Sequence, residues 1–319
     1  MRNPESEPSF ELERSIQNEA VEVVLANEVG HRLDMDDFED VFPPKEIQED
    51  KREVERLKAK FQEELEGLPD EEQERVKQGK KRGEALEIII GDQAELSDWF
   101  GEQAMVTRTT EFDDIRNGVD AVIEFNLEGG AERLALAIDT STRVVGETMK
   151  KKMRRNIEIV TGQRSPLVVK YFRSQVSDFE GTLRGIIPVV IGIERKNADR
   201  LSELYAQTTR LEKTKGQAAR QLLKEKKEEM GTHPAQMVFL EEVSLQLYLY
   251  EDLLEREGSG SEYNIAEIHK MQNLIQRIID SREKKGISSE GLEDDEFLSM
   301  IGDLTDSKTN SENRLRKAA

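Results

Sequence analysis

Apolar residues recur along this chain with two different periods, and the change of period divides it. In "FELERSIQNEAVEVVLANEVGHRL" the positions Leu12, Ile16, Val23 and Val24 are spaced as on one side of a helix. "PPKEIQ" restarts the chain after a break. From Ile47 to about Leu68 a charged helix then carries Val54, Leu57, Phe61 and Leu65 at alternating three- and four-residue steps. That stripe suits a helical hairpin packed on its own domain better than an intermolecular coiled coil. Pro69 and Asp70 mark a further helix start, and a helical pattern resumes from about Arg82 to Phe100.

After Phe100 the period shortens. "AVIEF", "RLALAI", "PLVVKYF" and "RGIIPVVIGI" are short β-rich runs bounded by turn residues. Between the second and third lies "VVGETMKKKMRRNIEIVTG", a helix by composition and length that Gly162 ends. The middle of the chain therefore reads helix, hairpin, helix, strand, strand, an α/β sheet domain. From Glu194 to about Glu229 the pattern is helical and heavily charged. "HPAQMVFLEEVSLQLYLYEDLLERE" starts another helix at His233-Pro234, "GSGSE" breaks it, and "YNIAEIHKMQNLIQRIIDSREKKG" is one more amphipathic helix. The expected organisation is an acidic helical region over 1–80, an α/β core over 81–195, C-terminal helices over 196–286, and a disordered acidic tail over 287–319.

Composition narrows the chemistry. The 319 residues carry a formal net charge of −20, which argues against a protein that coats nucleic acid non-specifically but leaves room for a local basic face. There is no cysteine, so disulfides, thiolate metal sites and cysteine nucleophiles are excluded. No apolar run approaches the length of a membrane span, the start has no apolar signal core, and a soluble cytoplasmic protein is expected. No GxxxxGK[ST] or GxGxxG phosphate loop is present.

The stretch "GVDAVIEFNLEGGAERLALAIDTSTR" holds the candidate chemistry. Gly129-Gly130 suits a two-residue hairpin turn, because both positions take positive φ without steric cost. Centring the hairpin there sets Asp120 opposite Asp139, with Val122, Glu124, Ala137 and Ala135 on their face and Ala121, Ile123, Phe125, Leu134, Leu136 and Ile138 on the core face. Two carboxylates roughly 5 Å apart at Cβ repel one another. A divalent cation between them reverses that sign, and an oxygen-rich site suits Mg²⁺ or Mn²⁺. The plainer alternative is that Asp139 caps the following helix and Asp120 faces water.

A helix bearing an acid ("RGEALEIIIGDQAELSDWF"), a strand with an aspartate ("TEFDDIRNGVDAVIEF"), then a strand ending in an aspartate and leading into a helix ("LALAIDTSTR") together resemble the PD-(D/E)XK nuclease superfamily. The stretch from Phe112 to about Gln236, with "LVVKYFRS", "IPVVIGIE" and "THPAQMVFLEEV", is similar to uncharacterised bacterial members of it. The resemblance implies a restriction-endonuclease-like mixed sheet core flanked by helices. It makes Asp120 and Asp139 ligands of a divalent metal, Mg²⁺ or Mn²⁺, that polarises a scissile phosphate, assisted by Glu84 or Glu87 from the preceding helix. Asp113 and Asp114 become outer acids or turn residues, with the turn favoured. The family's motif lysine is replaced by Ser141, which can hold a water but supplies no positive charge. Arg143, Lys150 or Lys151 is then the candidate cation, with Lys150 the one carried forward as catalytic.

Between Arg143 and Arg173 nine residues are basic (Arg143, Lys150, Lys151, Lys152, Arg154, Arg155, Arg164, Lys170 and Arg173) and two acidic, a local reversal in an acidic chain. Such a stretch either neutralises nucleic-acid phosphates, with Arg143 to Arg155 as the contacts, or neutralises the acidic N-terminal helices internally. His31, His233 and His269 show no ligand spacing. His233 reads as part of a helix-start turn, Trp99 as core, and Val238, Leu240, Val243, Leu247 and Leu254 as a packing stripe. The leading expectation is a metal-dependent nuclease hydrolysing phosphodiesters of DNA. The alternative is a catalytically degenerate nuclease fold that binds nucleic acid or protein, and a purely structural helical partner protein is a third. Association into a homo-oligomer or with a protein partner through the helices is expected, without a membrane.

Overall fold

The structure, a computed structural model, describes residues 10–27, 32–126, 134–142, 147–257, 262–292 and 300. The Gly129-Gly130 turn, Arg143, His31, the "GSGS" break and nearly all of the 287–319 tail beyond Leu292 lie outside the described residues. The chain runs α1 (Phe10–Ala26), a short 3-10 helix (Met35–Phe38), α2 (Pro44–Glu66), α3 (Asp70–Leu96), β1 (Ala104–Arg108), α4 (Glu111–Asn117), β2 (Ala121–Phe125) and β3 (Leu134–Ser141). It continues with α5 (Glu147–Val160), β4 (Val168–Arg173), β5 (Glu180–Arg184), β6 (Ile187–Gly192), α6 (Arg195–Glu212), α7 (Gln217–Gly231), α8 (Ala235–Glu257) and α9 (Ile265–Lys284).

The α/β class expected from the sequence holds: a mixed four-stranded sheet in the order β1-β2-β3-β6 is flanked by helices. β1, β2 and β3 form an antiparallel meander, and β6 joins β3 in parallel. Parallel pairing demands a long crossover, which α5 and the β4–β5 pair supply. The hairpin register is the one the apolar alternation requires, with Ala121 opposite Ile138, Val122 opposite Ala137 and Phe125 opposite Leu134. Both faces of the hairpin are covered, so Val122 and Glu124 are as buried as Ile123 and Leu136.

Several elements differ from the sequence reading. "PLVVKYF" forms β4 but leaves the main sheet and pairs with β5, "EGTLR", which no apolar alternation announces. β1, "AMVTR", is an unexpected edge strand. Asp113 and Asp114 lie in the first turn of α4 rather than in a turn before the strand. α4 is only seven residues long, begun by Thr110, whose side chain accepts from the Asp113 N–H, and stopped by Gly118 at φ 60. The helical stretch after Glu194 is two helices, broken before Gly216, whose φ of 123 no ordinary residue adopts readily. α3 is continuous from Asp70, and so spans residue 80.

α1 belongs to the main core through Val21 and Val24. A buried guanidinium ties it there: Arg82 of α3 donates to Asp199 Oδ1 of α6 at 2.6 Å and to Asn18 Oδ1 of α1 at 3.0 Å. A second, smaller core gathers Met35, Phe38, Ile47, Val54, Phe112 and Tyr171. Of the α2 stripe, Val54 and Leu65 are buried while Phe61 is exposed beneath Lys80 of α3, so the expected hairpin with α3 forms as a loose pair. Val238, Leu240, Val243, Leu247 and Leu254 on α8 are all buried core. Among the described residues no helix is long and apolar enough to cross a membrane.

The open edge of β6 would expose unpaired backbone groups in the core, and α8 closes it with side chains four residues apart. Glu242 Oε2 accepts from the Gly192 N–H at 2.8 Å and the Tyr250 hydroxyl donates to the Pro188 carbonyl at 2.9 Å. Between them the Gln246 amide accepts from Val190 N at 2.8 Å and donates to Val190 O at 2.6 Å, as a neighbouring strand does. Gln246→Leu strands both Val190 groups in the core and is expected to lower stability by about 2 to 4 kcal/mol. Tyr248→Ala, on the exposed side of the same helix, should stay within about 0.5 kcal/mol of wild type. Urea denaturation of the two variants checks the contrast.

Candidate carboxylate and lysine site

Where β2 begins and β3 ends, the sheet runs out of backbone partners, and side chains take over. β2 starts at Ala121, so the N–H of Thr140 on β3 has no strand opposite it. Asp120 supplies the acceptor: its Oδ2 receives the Thr140 N–H at 2.6 Å and the Thr140 hydroxyl at 2.8 Å. The Thr140 carbonyl in turn accepts from Lys152 Nζ at 2.9 Å, and the same ammonium is ion-paired with Asp139 Oδ1. Thr140 thus links Asp120 to Lys152, and Lys152 links back to Asp139.

Three further elements close on this group. α3 packs on β1 and β3 and brings Glu87, whose carboxylate lies 3.5 Å from the Arg108 guanidinium at the end of β1. α4 brings Asp114, ion-paired with Arg32, and Arg32 Nε also donates to the Thr109 carbonyl at 2.8 Å. α5 brings Arg155, which donates to the Asn117 carbonyl at the C-terminus of α4, where a cation is favoured. A Cβ on Gly118 would meet that guanidinium and displace it, and the left-handed φ of 60 itself favours glycine. Four carboxylates, Glu87, Asp114, Asp120 and Asp139, therefore share the site with Arg32, Arg108, Lys152 and Arg155.

Burial and mutual repulsion shape their titration. Burial, followed by the charges of Glu87, Asp139 and Asp114, raises the Asp120 carboxyl well above the ordinary range, with Lys152 opposing. Asp139 is raised by burial against the pull of Lys152 and Arg155. Glu87 is pushed up to about 7 by burial and by Asp114, with Arg108 and Arg32 working against the rise. For Lys152 burial works against the ammonium, but Asp139 and Asp120 outweigh it and the pKa is raised.

The sequence candidates are distributed unevenly around this geometry. Asp120, Asp139 and Glu87 come together, while Glu84 stands one turn back on α3 and adds only a minor repulsion to Glu87. The ammonium against Asp139 belongs to Lys152, not to Lys150, and Lys151 and Arg154 face solvent. Ser141 is engaged through its backbone at the β3–β6 contact, where its carbonyl accepts from Ile193 N at 3.0 Å. The α5 apolar stripe Met149, Met153 and Ile157 turns inward and carries Lys152 with it, a phase the sequence contains but which three consecutive lysines obscure. Asp114, offered by the resemblance as an outer acid or a turn residue, lies in the site, while Thr140 and Arg108 had no distinguishing signal.

Asp113 is structural. Its carboxylate accepts from Lys170 N at 2.7 Å, Tyr171 N at 3.0 Å and Asn117 Nδ2 at 2.8 Å, which moors β4 to α4. Much of the basic stretch is also internally satisfied: Lys170 pairs with Glu46 and Asp50 of α2, Arg173 with Glu180, and Arg164 lies 3.8 Å from Glu158. His233 accepts from Ala235 N at 3.2 Å and stacks on Trp99, as a helix-start residue does, and His269 lies 3.1 Å from Glu251. Trp99 is buried, with Nε1 donating to the Met230 carbonyl.

All the acidic donors are hard oxygens of the kind Mg²⁺ and Mn²⁺ prefer. With the side chains as they stand, no group of three His, Asp or Glu among the described residues is arranged to hold a metal ion, and Lys152 sits against Asp139. The chain matches no family model, no curated protein and no solved structure.

Glu87 carries a pH signature. Between its ordinary 4.5 and about 7 the folded carboxyl keeps a proton that the unfolded chain has lost, so stability declines as pH rises through that interval. Glu87→Gln is expected to flatten this decline and to stabilise the protein at pH 8 by roughly 1 to 3 kcal/mol. Calorimetric unfolding of both proteins at pH 5 and pH 8 measures it, and a variant less stable than wild type at pH 8 contradicts the assignment.

Proposed function

We propose that this chain is a metal-dependent phosphodiesterase of restriction-endonuclease-like fold, in the PD-(D/E)XK manner, acting on DNA. The observation that carries this reading is the ammonium of Lys152 held against Asp139 and the Thr140 carbonyl, beside Asp120 and Glu87. Ser141 stands where the motif lysine is expected, and Lys152 offers the missing positive charge from the following helix. The helix–strand–strand–helix order behind the resemblance runs along α3, β2, β3 and α5 within a mixed sheet.

Asp120 and Asp139, with Glu87, are the residues that would hold Mg²⁺ or Mn²⁺. When bound, such a cation supplies a polarised phosphate oxygen and a more acidic water. The chain's own contributions follow from its geometry. Thr140 fixes the Asp120 carboxylate through two hydrogen bonds, which leaves it little rotational freedom. Lys152, released from Asp139, can steady negative charge that develops on a transferring phosphate. Lys151 and Arg154, exposed on α5, are positioned for phosphates of a nucleic-acid backbone.

The second reading is a degenerate fold acting as a binding module. It is favoured by the ion pairs Lys152–Asp139, Arg32–Asp114 and Arg108–Glu87, which answer three of the four acids without any metal. The two readings separate on Lys152→Met and Asp139→Ala, tested by calorimetric titration of Mg²⁺ and Mn²⁺ and by incubation with labelled DNA. The nuclease reading expects Lys152→Met to bind Mn²⁺ at least as tightly as wild type, because a competing cation is gone, while cleavage falls by about 100-fold or more. It expects Asp139→Ala to lose both. Metal binding without cleavage by wild type supports the module, and absence of binding excludes the metal enzyme.

A further inference from the structure

At the far end of β2 from Asp120, roughly 17 Å away along the strand, the last turns of α9 lean on the segment joining α3 to β1. A cavity of about 330 Å³ opens there. Phe100, Phe125, Leu274 and Ile278 give it an apolar floor. Three cations, Arg277, Arg282 and Lys285, line it with one acid, Glu102, and a second, Asp98, lies beside Arg282. In a chain of net charge −20 that is a pronounced local reversal.

Arg282 distinguishes this cavity from an ordinary surface dip. The residue is 6% exposed, and its buried Nε has no hydrogen-bond partner, although an Nη donates to the Asp98 carbonyl. A buried guanidinium N–H without an acceptor is costly, the more so because the group is charged. Burial lowers the guanidinium's pKa, and Asp98 and Glu102 only partly offset that. The opposing wall is moulded to the helix: Asp98 takes φ 54, and at Gly101, φ 94, an added Cβ would come within 3.2 Å of Ile278. Cations in the last turn of α9 also suit its dipole. That accounts for positive charge at Arg282 and at the C-cap Lys285, but not for a buried, unanswered Nε beside an apolar floor.

We propose that this cavity binds a small organic monoanion with an apolar body, a carboxylate carrying a short alkyl or aryl tail. The carboxylate meets Arg282, Arg277 and Lys285, and the tail lies on Phe100, Phe125 and Leu274. The site shares no residue with the carboxylate and lysine site, so the inference stands independently of the proposed nuclease activity.

Octanoate is the probe, with octanol as the apolar control and inorganic phosphate as the charge control, titrated by calorimetry into wild type and the double variant Arg277→Gln/Lys285→Gln. Both substituted residues are exposed, so the fold and its melting temperature should be unchanged. The expected result is saturable octanoate binding that weakens about tenfold or more in the double variant, with both controls at least about tenfold weaker on wild type. No saturable octanoate binding below about 10 mM overturns the proposal. So does equal binding by the double variant, or a control that binds as tightly as octanoate.

Discussion

Thr140 is the residue through which the sheet and the candidate site depend on each other. Its N–H and hydroxyl hold Asp120, and its carbonyl holds Lys152, which in turn pairs with Asp139. The need arises because β2 begins at Ala121, opposite Ile138, and so stops short of the β3 backbone at Thr140. A carboxylate is a strong acceptor for an orphan N–H, so the strand end both fixes Asp120 and brings it beside a second aspartate. Remove that arrangement and either a buried N–H is stranded or two carboxylates meet without a mediator.

The same logic appears at the sheet's outer strands. Gln246, Glu242 and Tyr250 finish the β6 edge. On the β1 side the Gln175 amide donates to the Val106 carbonyl and Leu33 N donates to the Arg108 carbonyl. Glu124, on the face of Asp120, is buried but answered by the Ser174 hydroxyl and the Gln175 N–H. The β6 edge is thus finished by side chains and part of the β1 edge by a side chain and a loop N–H, which leaves fewer free backbone groups for edge-to-edge pairing.

What was legible in the sequence was whatever local period and turn chemistry determine. The hairpin register followed from alternation about Gly129-Gly130, and the starts of α8 and α9 from His233-Pro234 and from the "GSGSE" break. What was not legible depends on distant partners. "PLVVKYF" looks like any core strand, and nothing local says that it pairs with "EGTLR" instead of the main sheet. For Lys170 the internal alternative is the one that holds, since it pairs with Glu46 and Asp50 of an acidic N-terminal helix, but nothing local named those partners, which lie more than a hundred residues upstream. Lys152 was legible only as one of three adjacent lysines, and the phase of the Met149–Met153–Ile157 stripe decides which of them reaches Asp139.

A divalent cation that binds only the folded protein must raise its stability, and this tests the carboxylates as ligands without requiring turnover. The decisive measurement is the melting temperature of wild type and Asp120→Asn at pH 8 with and without Mn²⁺. The expected result is a rise of several degrees for wild type and little or none for the variant. An unchanged wild-type melting temperature at millimolar Mn²⁺, or an equal rise in both proteins, contradicts a metal site at Asp120 and Asp139.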